Sequence, residues 1–219
     1  MKKHGYERTF TFGKMLKYLF IGISLFIYVF GIYILITNRD TKIATDFVWT
    51  PEALTAYREA PEEFDIYKLE VMTNYTRDGR FFVVNTRYAE NISQIQFTVK
   101  FNNSTLRAIE EDYAIPSVSA DDFYYVLSDN LGNCYTSYRY LIDTDARHCY
   151  RRLVFDDVSL IGIDTLTVQI YHGGDTGILC GELVIYKSEN QSRLYGLKRR
   201  ERPSEELQQS PGLMTYSAE

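Results

Sequence analysis

Residues 94–101 read Gln-Ile-Gln-Phe-Thr-Val-Lys-Phe, and this stretch decides the fold class. Ile95, Phe97, Val99 and Phe101 alternate with Gln94, Gln96, Thr98 and Lys100. Successive side chains of a strand point to opposite faces, so the period of two predicts a strand with one face on a core and one in water. A helix would instead space its apolar residues three and four apart. Thr165–Tyr171 alternates in the same way, with Leu166, Val168 and Ile170 inward.

Outward from these two stretches, further strands are expected over Phe64–Thr73, Phe81–Tyr88, Phe123–Leu127, Cys134–Ile142, Cys149–Phe155 and Ile178–Tyr186. Turn residues separate them: Asp78-Gly79, Asn130-Leu131-Gly132-Asn133, Asp143-Thr144-Asp145-Ala146 and His172-Gly173-Gly174-Asp175. Strands at this spacing, mostly in hairpins, predict a mainly β fold, an antiparallel β-sandwich over residues 61–187. A closed barrel is the structural alternative. Two helices interrupt the rhythm. Thr50-Pro51-Glu52 is a start signal, with a hydroxyl cap, proline at the first helical position and an acid in the first turn. That helix should end at about Glu59, before Pro61, with Leu54, Tyr57 and Ala53 touching the sandwich. Ser104–Tyr113 is the second, with Leu106, Ile109 and Tyr113 on one side.

The N-terminus follows a different pattern. Tyr18 to Thr37 reads YLFIGISLFIYVFGIYILIT, without a charge. At the helical rise these residues span roughly 30 Å, the thickness of a bilayer's hydrocarbon core. Their many Leu, Ile, Phe and Val residues, at −0.3 to −0.6 kcal/mol each, favour insertion by about −4 to −8 kcal/mol. Lys2, Lys3, Arg8, Lys14 and Lys17 precede the segment, whereas Arg39 and Lys42 follow it. The positive-inside rule then predicts a cytoplasmic N-terminus, a single transmembrane helix over 18–37 and an extracytoplasmic remainder. The run ends in ILITNRD, with no small-residue cleavage pattern, so an uncleaved signal-anchor in the cell membrane is expected. The organisation is therefore a cytoplasmic segment 1–17, the membrane helix 18–37, a linker and short helix over 38–60, the ectodomain 61–187 and a disordered polar tail 188–219.

Composition narrows the function classes. The net charge of −5 supplies no basic field for nucleic acid. With 19 Tyr and 13 Phe against one Trp, the aromatic usage suits strands. Cys134, Cys149 and Cys180 are odd in number, lack C-x-x-C spacing and read as small hydrophobes, with at most one disulfide among them. N-x-S/T triplets begin at Asn74, Asn91, Asn102, Asn103 and Asn190. They would be acceptors in a eukaryotic secretory protein and inert in a bacterial one, and the cysteine-poor ectodomain leans toward the second.

No nucleophile elbow, zinc-protease helix, phosphate loop or dinucleotide fingerprint occurs, and no catalytic, cofactor or metal residue is assigned. His148 and His172 read as structural or solvent-exposed. The acid pairs Asp121-Asp122, Asp143-x-Asp145 and Asp156-Asp157 read as turn residues, since Asp caps local backbone donors. The basic run Lys198-Arg199-Arg200-Glu201-Arg202 is offset at once by Glu205 and Glu206. The tyrosines carry the functional expectation. Tyr138 and Tyr140 share a face with Thr136, opposite Tyr135, Ser137, Arg139 and Leu141. Tyr150 and Arg152 share a face of the neighbouring strand. Amphipathic rings at low rotamer cost suit protein or sugar recognition, so Tyr138, Tyr140, Tyr150 and Arg152 form the expected contact surface.

Residues 151–174, RRLVFDDVSLIGIDTLTVQIYHGG, together with the lysine-rich start and long apolar anchor, resemble uncharacterised single-pass membrane-anchored proteins of Gram-positive bacteria. The resemblance implies an immunoglobulin-like sandwich outside the membrane and no particular activity. The expected function is a membrane-tethered binding or scaffolding module of the cell envelope, with a protein or glycan partner, no cofactor and no nucleic acid. An extracytoplasmic hydrolase acting on envelope glycan or peptide is the alternative. A pocket joining His148 or His172 to two carboxylates would favour the enzyme, and an exposed tyrosine face the binding module.

Overall fold

The computed structural model describes residues 12–37, 42–69, 73–145, 147–173, 177–190, 203 and 216–217. The chain divides into two compact units, residues 1–40 and 41–219. In the first, α1 (Phe12–Thr37) is one continuous helix. Its stretch Phe12–Ile34 is long and apolar enough to cross a membrane, and none of it is buried in the protein. Phe20, Phe26, Ile27 and Tyr28 are all more than half exposed, and Phe26 stacks on Phe30 one turn along at 5.8 Å. A core helix of a soluble domain would bury such a face, so the segment has the character of a membrane anchor or signal sequence.

The second unit is mainly β. Its elements, in chain order, are α2 (Lys42–Thr45), α3 (Pro51–Glu59), β1 (Ile66–Lys68), β2 (Phe82–Ala89), β3 (Gln94–Asn102), α4 (Asn103–Tyr113), β4 (Phe123–Asp129), β5 (Cys134–Tyr135), β6 (Arg139–Thr144), β7 (His148–Phe155), β8 (Thr165–His172), β9 (Ile178–Lys187) and β10 (Tyr216–Ser217). Two antiparallel sheets form, in the orders β1-β2-β3-β7-β6-β10 and β5-β4-β8-β9. One core lies between them. Ile95, Phe97, Val99 and Phe101 of β3 meet Leu153 and Phe155 of β7 and Tyr125, Leu127, Val168 and Ile185 of the second sheet. Tyr216–Ser217 lie in the segment expected to be a disordered tail, yet pair with Tyr140 and Arg139; most of that segment lies outside the described residues.

Two expectations need correction. The strand expected over Cys134–Ile142 is two strands in different sheets. β5 pairs with β4, and after Thr136–Tyr138 the chain crosses to pair β6 with β7. The phase slips at the crossing: Tyr135 and Tyr138, three residues apart, both pack on the one core, which a single strand of period two over 134–142 does not allow. The polar face of β3 is likewise not in water: Gln94, Gln96 and Thr98 are fully buried. The segment expected to be a linker covers them as a strap over the outer face of the six-stranded sheet. Val48 donates its N–H to Gln96 Oε1 at 2.9 Å and accepts from Gln96 Nε2 at 2.8 Å. Asn85, held in the left-handed region at φ 54° where the β2–β3 register shifts, sends Nδ2 to the Ala44 carbonyl. Asn tolerates that conformation better than most residues. Arg87 Nη2 donates to the Thr45 carbonyl at 2.8 Å.

Beyond these bonds Phe47, Trp49, Leu54 and Ile66 close a second, smaller core with Tyr57 and Phe64. The helix expected at 51–59 is α3; the Thr50 hydroxyl caps it, accepting from Ala53 N–H at 3.3 Å. Arg139 ties it down, with Nη1 to Glu52 at 2.9 Å and Nη2 to both Asp156 oxygens at 2.7 Å.

Candidate functional site

β5 is only two residues long, and it pairs with β4 at Leu127 and Ser128 alone. Among the described strands none pairs with the start of β4 on that side, and a cleft lies there between the sheets. Its walls are Ala120–Tyr125, Tyr138 at the crossing, Tyr140 of β6 and Arg151 of β7, around a space of about 210 Å³. That lies below the roughly 300–1,000 Å³ of pockets for drug-sized ligands and suits a group about the size of a single ring.

Four tyrosines shape the cleft. The Tyr138 ring packs on Phe155 at 5.2 Å and lies 5.8 Å from Tyr125, 6.2 Å from Tyr124 and 6.2 Å from Tyr140. Tyr138 and Tyr125 are buried, whereas Tyr124 and Tyr140 are half-buried. Burial pushes the Tyr138 phenol up to about 12 and raises Tyr125 further, so both are neutral hydroxyls near neutral pH.

Arg151 stands among apolar neighbours. It shares the inner face of β7 with Cys149, Leu153 and Phe155 and is 4% exposed. Nη2 donates to Asp121 Oδ1 at 2.6 Å and Nη1 to the Tyr150 carbonyl at 3.3 Å. Yet the Asp121 side chain is 72% exposed. A buried guanidinium is normally matched by buried partners, because desolvating it costs several kcal/mol. Arg152, one residue on, follows that rule: it bonds to Asn85 O, Thr98 Oγ1 and Gln96 Oε1 beneath the strap. Asp122 accepts from Ser119 N–H at 2.6 Å, and His172 Nε2 lies 3.6 Å from its carboxylate without lining the cleft.

The four expected contact residues thus divide. Tyr138 and Tyr140 line the cleft together. Tyr150 and Arg152 lie on the opposite face of β7, 1% and 0% exposed, and offer no surface to a partner. Their face is closed by the buried polar network under the strap and, for Tyr150, by the Asp145 carboxylate, which accepts from its hydroxyl at 2.8 Å. Sequence reasoning missed Arg151. The signal was available, since it is the one charged residue in the apolar phase Cys149, Arg151, Leu153, Phe155.

His148 neighbours Asp145 at 3.4 Å and, although only three residues before Arg151, is not among the residues that line the cleft. The three cysteines are free, Cys149 and Cys180 buried and Cys134 exposed. Among the described residues no three His, Cys, Asp or Glu side chains converge as a metal site. Two of the triplet asparagines have structural work: Asn91 accepts from Asp65 N–H and donates to the Glu63 carbonyl, and Asn102 caps α4 by accepting from Thr105 N–H. Comparison with known protein families, curated proteins and solved structures finds no match.

Proposed function

We propose that the chain is a membrane-tethered binding module of the cell envelope that receives its ligand in the tyrosine-lined cleft. The observation that carries this reading is the composition of the cleft. Half-buried rings of Tyr124 and Tyr140 flank a buried arginine and two carboxylates, in a space sized for one small group. Few, convergent polar groups among aromatic walls are the usual make-up of a recognition site. The apolar α1 supports the tether, and the basic residues before it support a cytoplasmic N-terminus with the sandwich outside. The immunoglobulin-like form of the sandwich and the Gram-positive setting belong to the same proposal.

Asp121, Asp122 and the nearby His172 are what an envelope hydrolase would require. Among the described residues neither serine nor cysteine lines the cleft, and Asp121 is held in an ion pair with Arg151. Binding is therefore the better reading. The full chain, placed in lipid nanodiscs with isotope-labelled tyrosines, is to be screened against neutral and acidic sugars, amino acids and short peptides. The expected result is a ligand whose spectral changes concentrate on Tyr124, Tyr125, Tyr138 and Tyr140. Silence of these four with every class, or larger changes at distant Tyr75, would overturn the reading.

A further inference from the structure

Tyr125 carries one feature that the fold does not use. It is 2% exposed and lines the cleft, and its hydroxyl meets no hydrogen-bond partner among the described residues. Folding normally satisfies a buried hydroxyl, because leaving it unpaired forfeits the bonds it made with water. Arg151, whose charge is felt at Tyr125, is similarly under-used. A guanidinium has five N–H donors, and its two bonds, to Asp121 and to the Tyr150 carbonyl, leave three. Both residues line the same small space as Asp121 and Asp122, whose side chains are 72% and 43% exposed and retain acceptor capacity.

From this arrangement we infer that the cleft binds a free α-amino acid as its zwitterion. The ligand carboxylate accepts from Arg151 and from the Tyr125 hydroxyl. Its ammonium donates to Asp122 and Asp121. Its side chain lies among Tyr124, Tyr138 and Tyr140. Charge balance selects this class over a plain anion. One arginine opposes two aspartates, so an anionic sugar meets net repulsion, whereas a zwitterion places each charge against its opposite. A neutral sugar would leave the remaining Arg151 donors with no charged acceptor beyond Asp121. Burial raises the Tyr125 phenol and keeps it protonated, as a donor to a carboxylate must be.

The inference rests on the cleft being the binding site and goes further by naming the ligand. Calorimetric titration of the full chain in nanodiscs with L-phenylalanine and L-leucine tests it. Phenethylamine, which lacks the carboxylate, and N-acetyl-L-phenylalanine, which lacks the ammonium, are the controls, with methyl glucoside as a neutral sugar. Each truncated analogue should bind at least tenfold more weakly than phenylalanine, since a hydrogen-bonded charge is lost. Tyr125→Phe should weaken phenylalanine binding about tenfold while leaving the melting temperature unchanged or higher. That split separates a hydroxyl reserved for a ligand from one that supports the fold. Asp122→Asn should weaken binding of phenylalanine but not of N-acetyl-phenylalanine. Equal affinity for the truncated analogues would overturn the inference, as would a Tyr125→Phe variant that melts lower and binds unchanged. Binding of the sugar or a peptide in the cleft, with free amino acids inert, would also overturn it and leave the binding-module reading standing. Failure of every probe would overturn both.

Discussion

Replacing Gln96 with alanine should unfasten the strap. Gln96 is fully buried, and its amide makes a reciprocal pair with the Val48 backbone, at 2.9 Å and 2.8 Å. It also donates to Gln94 Oε1 at 2.7 Å and accepts from Arg152 Nη2 at 3.3 Å. The alanine variant leaves a buried N–H and a buried C=O of Val48 unmade. At about 1–3 kcal/mol per unsatisfied group the loss is about 2–6 kcal/mol, and water entering the vacated space brings the expectation to about 3 kcal/mol. Against a typical domain stability of about 5–15 kcal/mol this is a large fraction. The assay is urea unfolding of the full chain in detergent micelles, followed by tryptophan fluorescence. The chain has one tryptophan, Trp49, and it lies in the strap's own core, 5.2 Å from the Phe47 ring and 5.3 Å from Tyr57. Gln169→Ala is the control. Gln169 bonds to Glu182 at an exposed site, and its loss should cost less than about 0.5 kcal/mol. If the two variants unfold at the same urea concentration, the strap does not depend on Gln96 and the argument fails.

Three further outcomes follow from single sites. Asp156→Ala should destabilise by about 2 kcal/mol, since it strips Arg139 of a two-oxygen partner and Gln94 of an acceptor, whereas Glu52→Ala, at a carboxylate 57% exposed, should cost under about 1 kcal/mol in the same unfolding assay. Burial opposes ionisation of Asp145, but the N–H groups of Arg147 and His148 and the Tyr150 hydroxyl outweigh it and hold the carboxyl at about 2 against an ordinary 3.8. Its folded pKa is depressed, so its contribution is complete above about pH 4 and is lost as pH falls toward 2; Asp145→Asn should flatten that part of a melting-temperature profile against pH. Gly181→Ala should cost about 1–3 kcal/mol, because a Cβ there would lie 2.9 Å from Thr76 Cγ2 and 3.1 Å from Phe81 Cδ2; an unchanged melting temperature would refute the crowding.

Cleft variants need the same separation of fold from function. Tyr138 is 7% exposed and packs on Phe155, so Tyr138→Ser should cost about 3 kcal/mol or more and report on the core. Tyr140 is half-buried, and Tyr140→Ser should leave the melting temperature within a few degrees of the wild type while weakening ligand binding. A double substitution would confuse the two, so thermal denaturation of each single variant must precede any binding measurement.

How legible the molecule is depends on which forces act where. The alternation of β3 and β8, the hydroxyl cap at Thr50 and the proline after it are local signals, and the corresponding elements lie where they point. The strap is different. It is held by Asn85, Arg87, Gln94 and Gln96, and in sequence a polar residue that binds a covering backbone looks the same as one that binds water. The crossing at Thr136–Tyr138 is hidden because Tyr135, Thr136, Tyr138 and Tyr140 all suit a strand, so the composition carries on while the hydrogen-bonding partner changes. Within the cleft, Tyr138 and Tyr140 were legible as a pair. Their meeting with Asp121 and Arg151, 30 residues apart in the chain, is set by the open edge of β4 and therefore by tertiary structure.

A photocrosslinking amino acid placed at position 140 in intact cells tests the central claim most directly, with position 75 as the control because Tyr75 is 48% exposed and lies outside the cleft. The account predicts an adduct at position 140 with a molecule of the extracytoplasmic side, competed away by the ligand that perturbs the cleft tyrosines, and no such adduct at position 75. An adduct with a cytoplasmic component, or equal labelling from the two positions, would contradict it.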